Sequence, residues 1–237
     1  MATFVIVHGG WGGGWEWTPV AGLLRQRGHE VFTPTLTGLG ERSHIGTDIG
    51  LSDHIEDILA LFQFEMLSDV ILCGHSYSGM VITGVADRIP EKVKLLTYID
   101  AFFPRDGDRL IDLVPPEVAE TLMRSAKELD GKMIPYPSVV YPPEGVIPES
   151  VRENYIKRMR PQPLNTNTEP IHLSGDVDRV QHGFVHCTQS EAGFLIPFAR
   201  KAKSEGWLYR EIATEHDLHL LDPEGTAGVL SEMADTD

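Results

Sequence analysis

A serine that sits where an apolar run gives way to a helical pattern, with small residues around it, is a candidate nucleophile. Ser76 in Cys73-Gly74-His75-Ser76-Tyr77-Ser78-Gly79 meets that description. The run Asp69–Cys73 reads as a strand, and Ser78–Arg88 reads as a helix that stops before Pro90. A hydroxyl is a weak nucleophile until a tight turn exposes it, a base stands beside it and backbone N–H groups face the developing oxyanion. Small flanking residues are needed because the helix leaves the turn close to the strand. The spacing departs from G-x-S-x-G, since Ser78 occupies the last position and Gly79 comes one residue later.

The first apolar run, Thr3 to His8, opens into Gly9-Gly10-Trp11-Gly12-Gly13-Gly14-Trp15. Glycines let a backbone approach a ligand and leave amides free to donate. Gly10 and Tyr77, the latter following the serine, are therefore the expected oxyanion donors. Tryptophans fall where G-x-G-x-x-G would require glycine, and no G-x-x-x-x-G-K-[ST] exists, so dinucleotide and P-loop readings are disfavoured. No cofactor and no metal are expected.

The opening VHGGWGGGWEW, the turn GHSYSG, the segment YIDAFFP and the closing TEHDLHLLDPEG together resemble the α/β-hydrolase superfamily. Within it they are most similar to small esterases of the plant methylesterase and hydroxynitrile lyase-like group. The resemblance spans nearly the whole chain. It implies a sheet lacking the first two strands of the larger members, and a Ser–acid–His triad in chain order. It places the base at His216, in the loop after the last strand, with His219 as the fallback. For the acid, the position used by many members holds Ser190, which cannot stabilise an imidazolium by charge. Two carboxylates compete for that role: Asp100, at the end of the fourth strand, which is preferred, and Glu191. Trp11, Phe102, Phe103, Tyr136 and Tyr141 are expected to line an apolar substrate pocket above Ser76.

The elements that must position these residues alternate from the first residue onward. Strands are expected at Thr3–His8, Glu30–Pro34, Asp69–Cys73, Val93–Ile99, Gly183–Cys187 and Trp207–Ala213. Helices are expected at Thr18–Gly28, at Leu51–Phe64 with Ser52-Asp53 as its cap, at Ser78–Arg88, and over about 192–205 and 223–234. Apolar strands between amphipathic helices predict an α/β fold with a mostly parallel sheet of about six strands, covered on both faces. An insertion over about 104–182 holds 11 of the 16 prolines, with helical stretches near 116–128 and 148–159 around the extended run Ile134–Pro137. A segment of that length between core strands reads as a helical cap or lid on a single domain spanning 1–237.

Composition narrows the function classes. The 237 residues carry a net charge of −15, which disfavours phosphate backbones and anionic lipid. No apolar run is long enough to span a bilayer, and the N-terminus lacks a basic leader pattern, so a cytoplasmic location is expected. Cys73 and Cys187 lie in separate apolar segments and read as buried thiols. The expected function is hydrolysis of a small hydrophobic or aromatic carboxylic ester through an acyl-enzyme. The expected partner is that small-molecule substrate; a homodimer is left open. The alternatives are a lyase or cofactor-free oxygenase on the same fold, or a small-molecule binding protein. In the related lyases a threonine follows the first-strand histidine and a lysine follows the catalytic one. Here those positions hold Gly9 and Asp217, which argues against cyanohydrin chemistry.

Overall fold

The computed structural model describes residues 1–137, 147–190 and 193–236. Its strands are β1 (Thr3–Val7), β2 (Glu30–Phe32), β3 (Val70–His75), β4 (Val93–Ile99), β5 (Met133–Ile134), β6 (Gln162–Pro163), β7 (Gln181–Cys187) and β8 (Leu208–Ile212). Its helices are α1 (Thr18–Gln26), α2 (Leu51–Phe64), α3 (Ser78–Arg88), α4 (Leu110–Leu113), α5 (Pro116–Ala126), α6 (Glu149–Arg158), α7 (Asn165–Thr168), α8 (Ile196–Ser204), α9 (Leu218–Leu221) and α10 (Pro223–Ala234).

Six strands form one sheet in the order β2-β1-β3-β4-β7-β8, and every pairing in it is parallel. Side chains alternate across the pleat, so one strand feeds two cores. Val5, Val7, Leu72, Leu96, Tyr98 and Phe184 face the cluster that includes residues of α2, α3 and α8. Phe4, Ile6, Ile71, Cys73, Leu95 and Val185 face the cluster built with α1 and α10. β1 is flanked by β2 on one side and β3 on the other, so the connections diverge between β1 and β3. In open parallel sheets a ligand crevice forms at the carboxyl ends of the strands beside such a divergence.

Helix α2 spans Leu51–Phe64 as expected, but its cap is not Ser52-Asp53. Gly50 is its N-cap, and Asp53 serves as the third helical residue, its carboxylate accepting the Gly50 amide at 2.8 Å. The helix expected near 192–205 starts at Ile196, with Pro197 in its first turn, where a missing N–H costs nothing. Between β4 and β7 the chain carries α4 to α7 and the two-stranded antiparallel ribbon β5–β6, which was not anticipated. No described helix is long and apolar enough to cross a membrane. Cys73 and Cys187 are buried free thiols, and burial pushes the Cys73 thiol up to about 12.

Candidate active site

Strand β3 is buried along its whole length and ends at His75, where the chain turns sharply. Ser76 takes φ of 54°, a left-handed conformation unfavourable for a side-chain-bearing residue, and α3 starts two residues later. Backbone bonds hold it there: the Ser76 amide donates to Ile99 O (3.2 Å), while its carbonyl accepts from Gly79 (3.2 Å) and Phe102 (3.3 Å). A Cβ on Gly79 would lie 1.8 Å from the Phe102 carbonyl, so the glycine demanded by close packing is Gly79. Ser78, one position earlier, has room for its side chain, and its hydroxyl donates to the His8 carbonyl at the end of β1. That bond accounts for the departure from the usual spacing.

Asp100 follows β4, is 1% exposed and has φ of 40°. Its amide donates to Val185 O (2.8 Å), and its Oδ2 lies 2.7 Å from Nδ1 of His216. Of the two carboxylates weighed from sequence, Asp100 is in contact with His216; Glu191, like Tyr141, lies outside the described residues. Burial disfavours the His216 imidazolium, but the Asp100 hydrogen bond and charge, helped by Asp217 and Glu215, outweigh it and raise its pKa above the usual 6.5. The His216 carbonyl accepts from Nε2–H of His75 (3.0 Å), and the two rings lie 4.5 Å apart. The residue before Ser76 therefore holds the loop that carries His216. Burial, then the nearby His216 and His219, keep His75 neutral, well below its ordinary value.

The glycine run after β1 lies against this turn. A Cβ on Gly9 would sit 2.9 Å from His75 Nδ1 and 3.4 Å from Ser76 Cβ; one on Gly10 would sit 3.9 Å from Tyr77 Cβ. Tyr77 immediately precedes α3, so its amide is among those at a helix start that no intrahelical carbonyl can accept. Its hydroxyl donates to Nδ1 of His54 (2.8 Å), whose Nε2–H donates to Thr37 O (2.8 Å). Burial drives the pKa of His54 down to about 4, which keeps this bridge neutral.

The expected pocket residues part company. Trp11, at φ of 62°, is bound from both sides by the β4–β7 segment: its amide donates to Gln162 Oε1 (2.9 Å), its indole N–H to Ile134 O (3.0 Å), and its carbonyl accepts from Arg160 (2.9 Å). The Tyr136 ring lies 6.2 Å from it. Phe102 packs on Phe194 and Phe198. Phe103 packs on Tyr98, Phe184, Phe198 and Trp207 and lines a cleft of about 440 Å³ whose lining includes neither Ser76 nor His216.

His219 faces the interior. It is 1% exposed and stacks on Trp17 at 4.9 Å. Its Nε2 lies 3.8 Å from Oε1 of Glu16, too far for a hydrogen bond, and that buried carboxylate accepts from Tyr155 OH (2.6 Å) and the Gly13 amide (3.1 Å). Glu16, Tyr155, Gln162 and His54 were not singled out from sequence. The one signal for Glu16 was an acid lodged in the apolar Trp15-Glu16-Trp17. His75, Asp217 and His219 offer donor atoms within 4.8 Å of one another, whereas ligands sharing one zinc sit about 3.4 Å apart, so the set would have to contract to hold an ion.

A model of the alpha/beta hydrolase family matches residues 4–229. The chain is 45% identical over 245 aligned positions to a carbendazim hydrolyzing esterase of Nocardioides sp. (strain SG-4G), covering 98% of this chain and 100% of that one. It is 32% identical over 103 positions to methylesterase 8 of Arabidopsis thaliana, a match spanning 43% of this chain and 38% of that one. Among solved structures, an extracellular alpha/beta-hydrolase from a Paenibacillus species, said to share structural and functional homology with tobacco salicylic acid binding protein 2, superposes with a TM-score of 0.89. That superposition covers 98% of each chain at 22% identity, which bears on fold alone.

Proposed function

The chain belongs to the alpha/beta hydrolase family and is a carboxylic ester hydrolase, and we propose that it works through Ser76, His216 and Asp100. The observation that carries this reading is the 2.7 Å bond from His216 to the buried Asp100, on a loop held by the residue adjoining a serine in a left-handed turn. His216 accepts the Ser76 proton as the hydroxyl attacks the ester carbonyl, Asp100 orients the ring through Nδ1–H, and an acyl-enzyme forms. Water activated by the same histidine then releases the acid. The amides of Gly10 and Tyr77 are the proposed oxyanion donors, each worth roughly 3–4 kcal/mol in the barrier. The β4–β7 segment acts as the cap of a single catalytic domain, with Trp11 and Tyr136 on the substrate side.

The substrate class is a small ester or carbamate with a methyl or similarly short alcohol part and an apolar, flat acyl part. Two relatives support this: one named for hydrolysing carbendazim, a methyl carbamate on a benzimidazole ring, and one named a methylesterase. The test is hydrolysis of p-nitrophenyl esters and methyl carbamates by wild type and Ser76→Ala, with a serine-reactive phosphonate. Turnover lost in the variant, with label on Ser76, is expected. Labelling without turnover of any ester or carbamate would point to another reaction on the same serine. Neither labelling nor turnover would sink the triad and favour a binding protein.

A further inference from the structure

Glu16 is a carboxylate buried in the loop after β1, with a side-chain exposure of 4%. Burying a carboxylate costs several kcal/mol unless partners compensate, and here the partners come from three separate parts of the chain. The Gly13 amide belongs to the glycine run, Tyr155 to α6 of the β4–β7 segment, and His219 to α9, three residues beyond His216. The fit is close: a Cβ on Gly12 would lie 1.8 Å from the Glu16 carboxylate, so only glycine lets the acid tuck against the loop. Burial works to raise the pKa of Glu16, but His219, His8 and Tyr155 overcome it and leave it lowered, so the group is an anion at neutral pH. From His219 the packing continues without a gap toward the reaction centre. The His219 ring lies 5.2 Å from that of His75, and the His75 ring lies 4.5 Å from that of His216.

We propose that Glu16 is a positioning residue for ester hydrolysis: through Gly13 it sets the loop bearing Gly10, through His219 and His75 it sets the loop bearing His216, and through Tyr155 it ties both to the cap. This rests on the triad reading above. Glu16 touches no substrate in this account. It fixes where the base and one oxyanion donor stand relative to each other, and it does so only while the cap helix supplies the tyrosine hydroxyl.

The test measures kcat and KM on a p-nitrophenyl ester for wild type, Ser76→Ala, Glu16→Gln, Tyr155→Phe and the double variant, together with the phosphonate labelling rate and Tm. Misplacement of catalytic groups lowers turnover by on the order of ten- to a hundredfold. Each single variant is expected to lose kcat on that scale with KM within about twofold, and labelling of Ser76 should slow by the same factor. The double variant should lose no more than the worse single one, because both cut the same link. Tyr155→Phe removes one oxygen and keeps the ring, so it reports even if Glu16→Gln folds poorly. Unchanged kcat in folded variants, losses that multiply, or losses that follow Tm and vanish on cooling would overturn the proposal. Absence of Ser76-dependent turnover in wild type would instead overturn the esterase reading, and this one with it.

Discussion

The bond between Asp100 and His216 makes a statement about pH. The carboxylate favours the imidazolium, so the His216 pKa in the folded protein stands above 6.5. A base must be neutral to accept a proton, so kcat/KM should rise with pH through that raised value. Asp100→Asn removes the charge that favours imidazolium. The acidic limb should therefore move to lower pH, while kcat falls on the order of 10³–10⁴-fold through loss of the correct tautomer. A pH–rate profile of the two proteins checks both; an unmoved limb would mean that Asp100 does not govern the base. Ser76 and Asp100 directly follow β3 and β4, and strand ends show in the apolar pattern, so their place at one edge of the sheet was legible; His216 lies in the loop beyond β8 and was placed by the family resemblance. Glu16, Tyr155 and His54 were not, since each matters through a partner between 17 and 139 residues away. Phe103 lines a cleft with Trp207 whose lining lacks Ser76; it and Phe102 are adjacent after β4, and nothing local says where either ring points.

At the level of elements, the junction of β3 and α3 is built on close approach, and glycine substitutions read it out. Gly79→Ala would drive a Cβ to 1.8 Å from the Phe102 carbonyl, which is backbone and cannot step aside. A loss of about 3 kcal/mol or more is expected. Gly22 lies within α1 and would meet nothing within 4 Å, so Gly22→Ala should stabilise by about 0.5–1 kcal/mol. Urea unfolding of the pair gives the contrast; similar effects at both sites would refute the packing account. The six main strands and the long helices were readable from periodicity because each buries a face of its own. The ribbon β5–β6 and the short helices α4, α7 and α9 were not, because two to four residues carry no period. They exist by packing on larger elements.

Across the whole molecule, the β4–β7 segment is fastened at its return by one side chain. Asp87, near the end of α3, accepts the amides of Ser174 (2.6 Å), Gly175 (3.0 Å) and Val177 (3.1 Å). Burial opposes its ionisation, but these donors prevail and its pKa lies below 3.8. A lowered carboxylate pKa stabilises above the unfolded value and ceases to do so as pH falls through the folded one. Asp87→Asn should thus cost about 1–3 kcal/mol at pH 7 by urea unfolding, with the gap narrowing once the pH drops below 3.8. A gap that does not change with pH would assign the effect to shape rather than charge. The other fastening has a practical meaning for anyone redesigning this enzyme. Trp11 is held through its amide, carbonyl and indole by Gln162, Arg160 and Ile134, and it directly follows Gly10. Exchanging the whole segment with that of a relative, in order to change specificity, would also rebuild the floor on which the oxyanion is proposed to rest. A chimera that keeps residues 134, 155 and 160–162 native and grafts around them respects that dependence, and keeps the Tyr155 hydroxyl on Glu16; one cut at the ends of β4 and β7 does not.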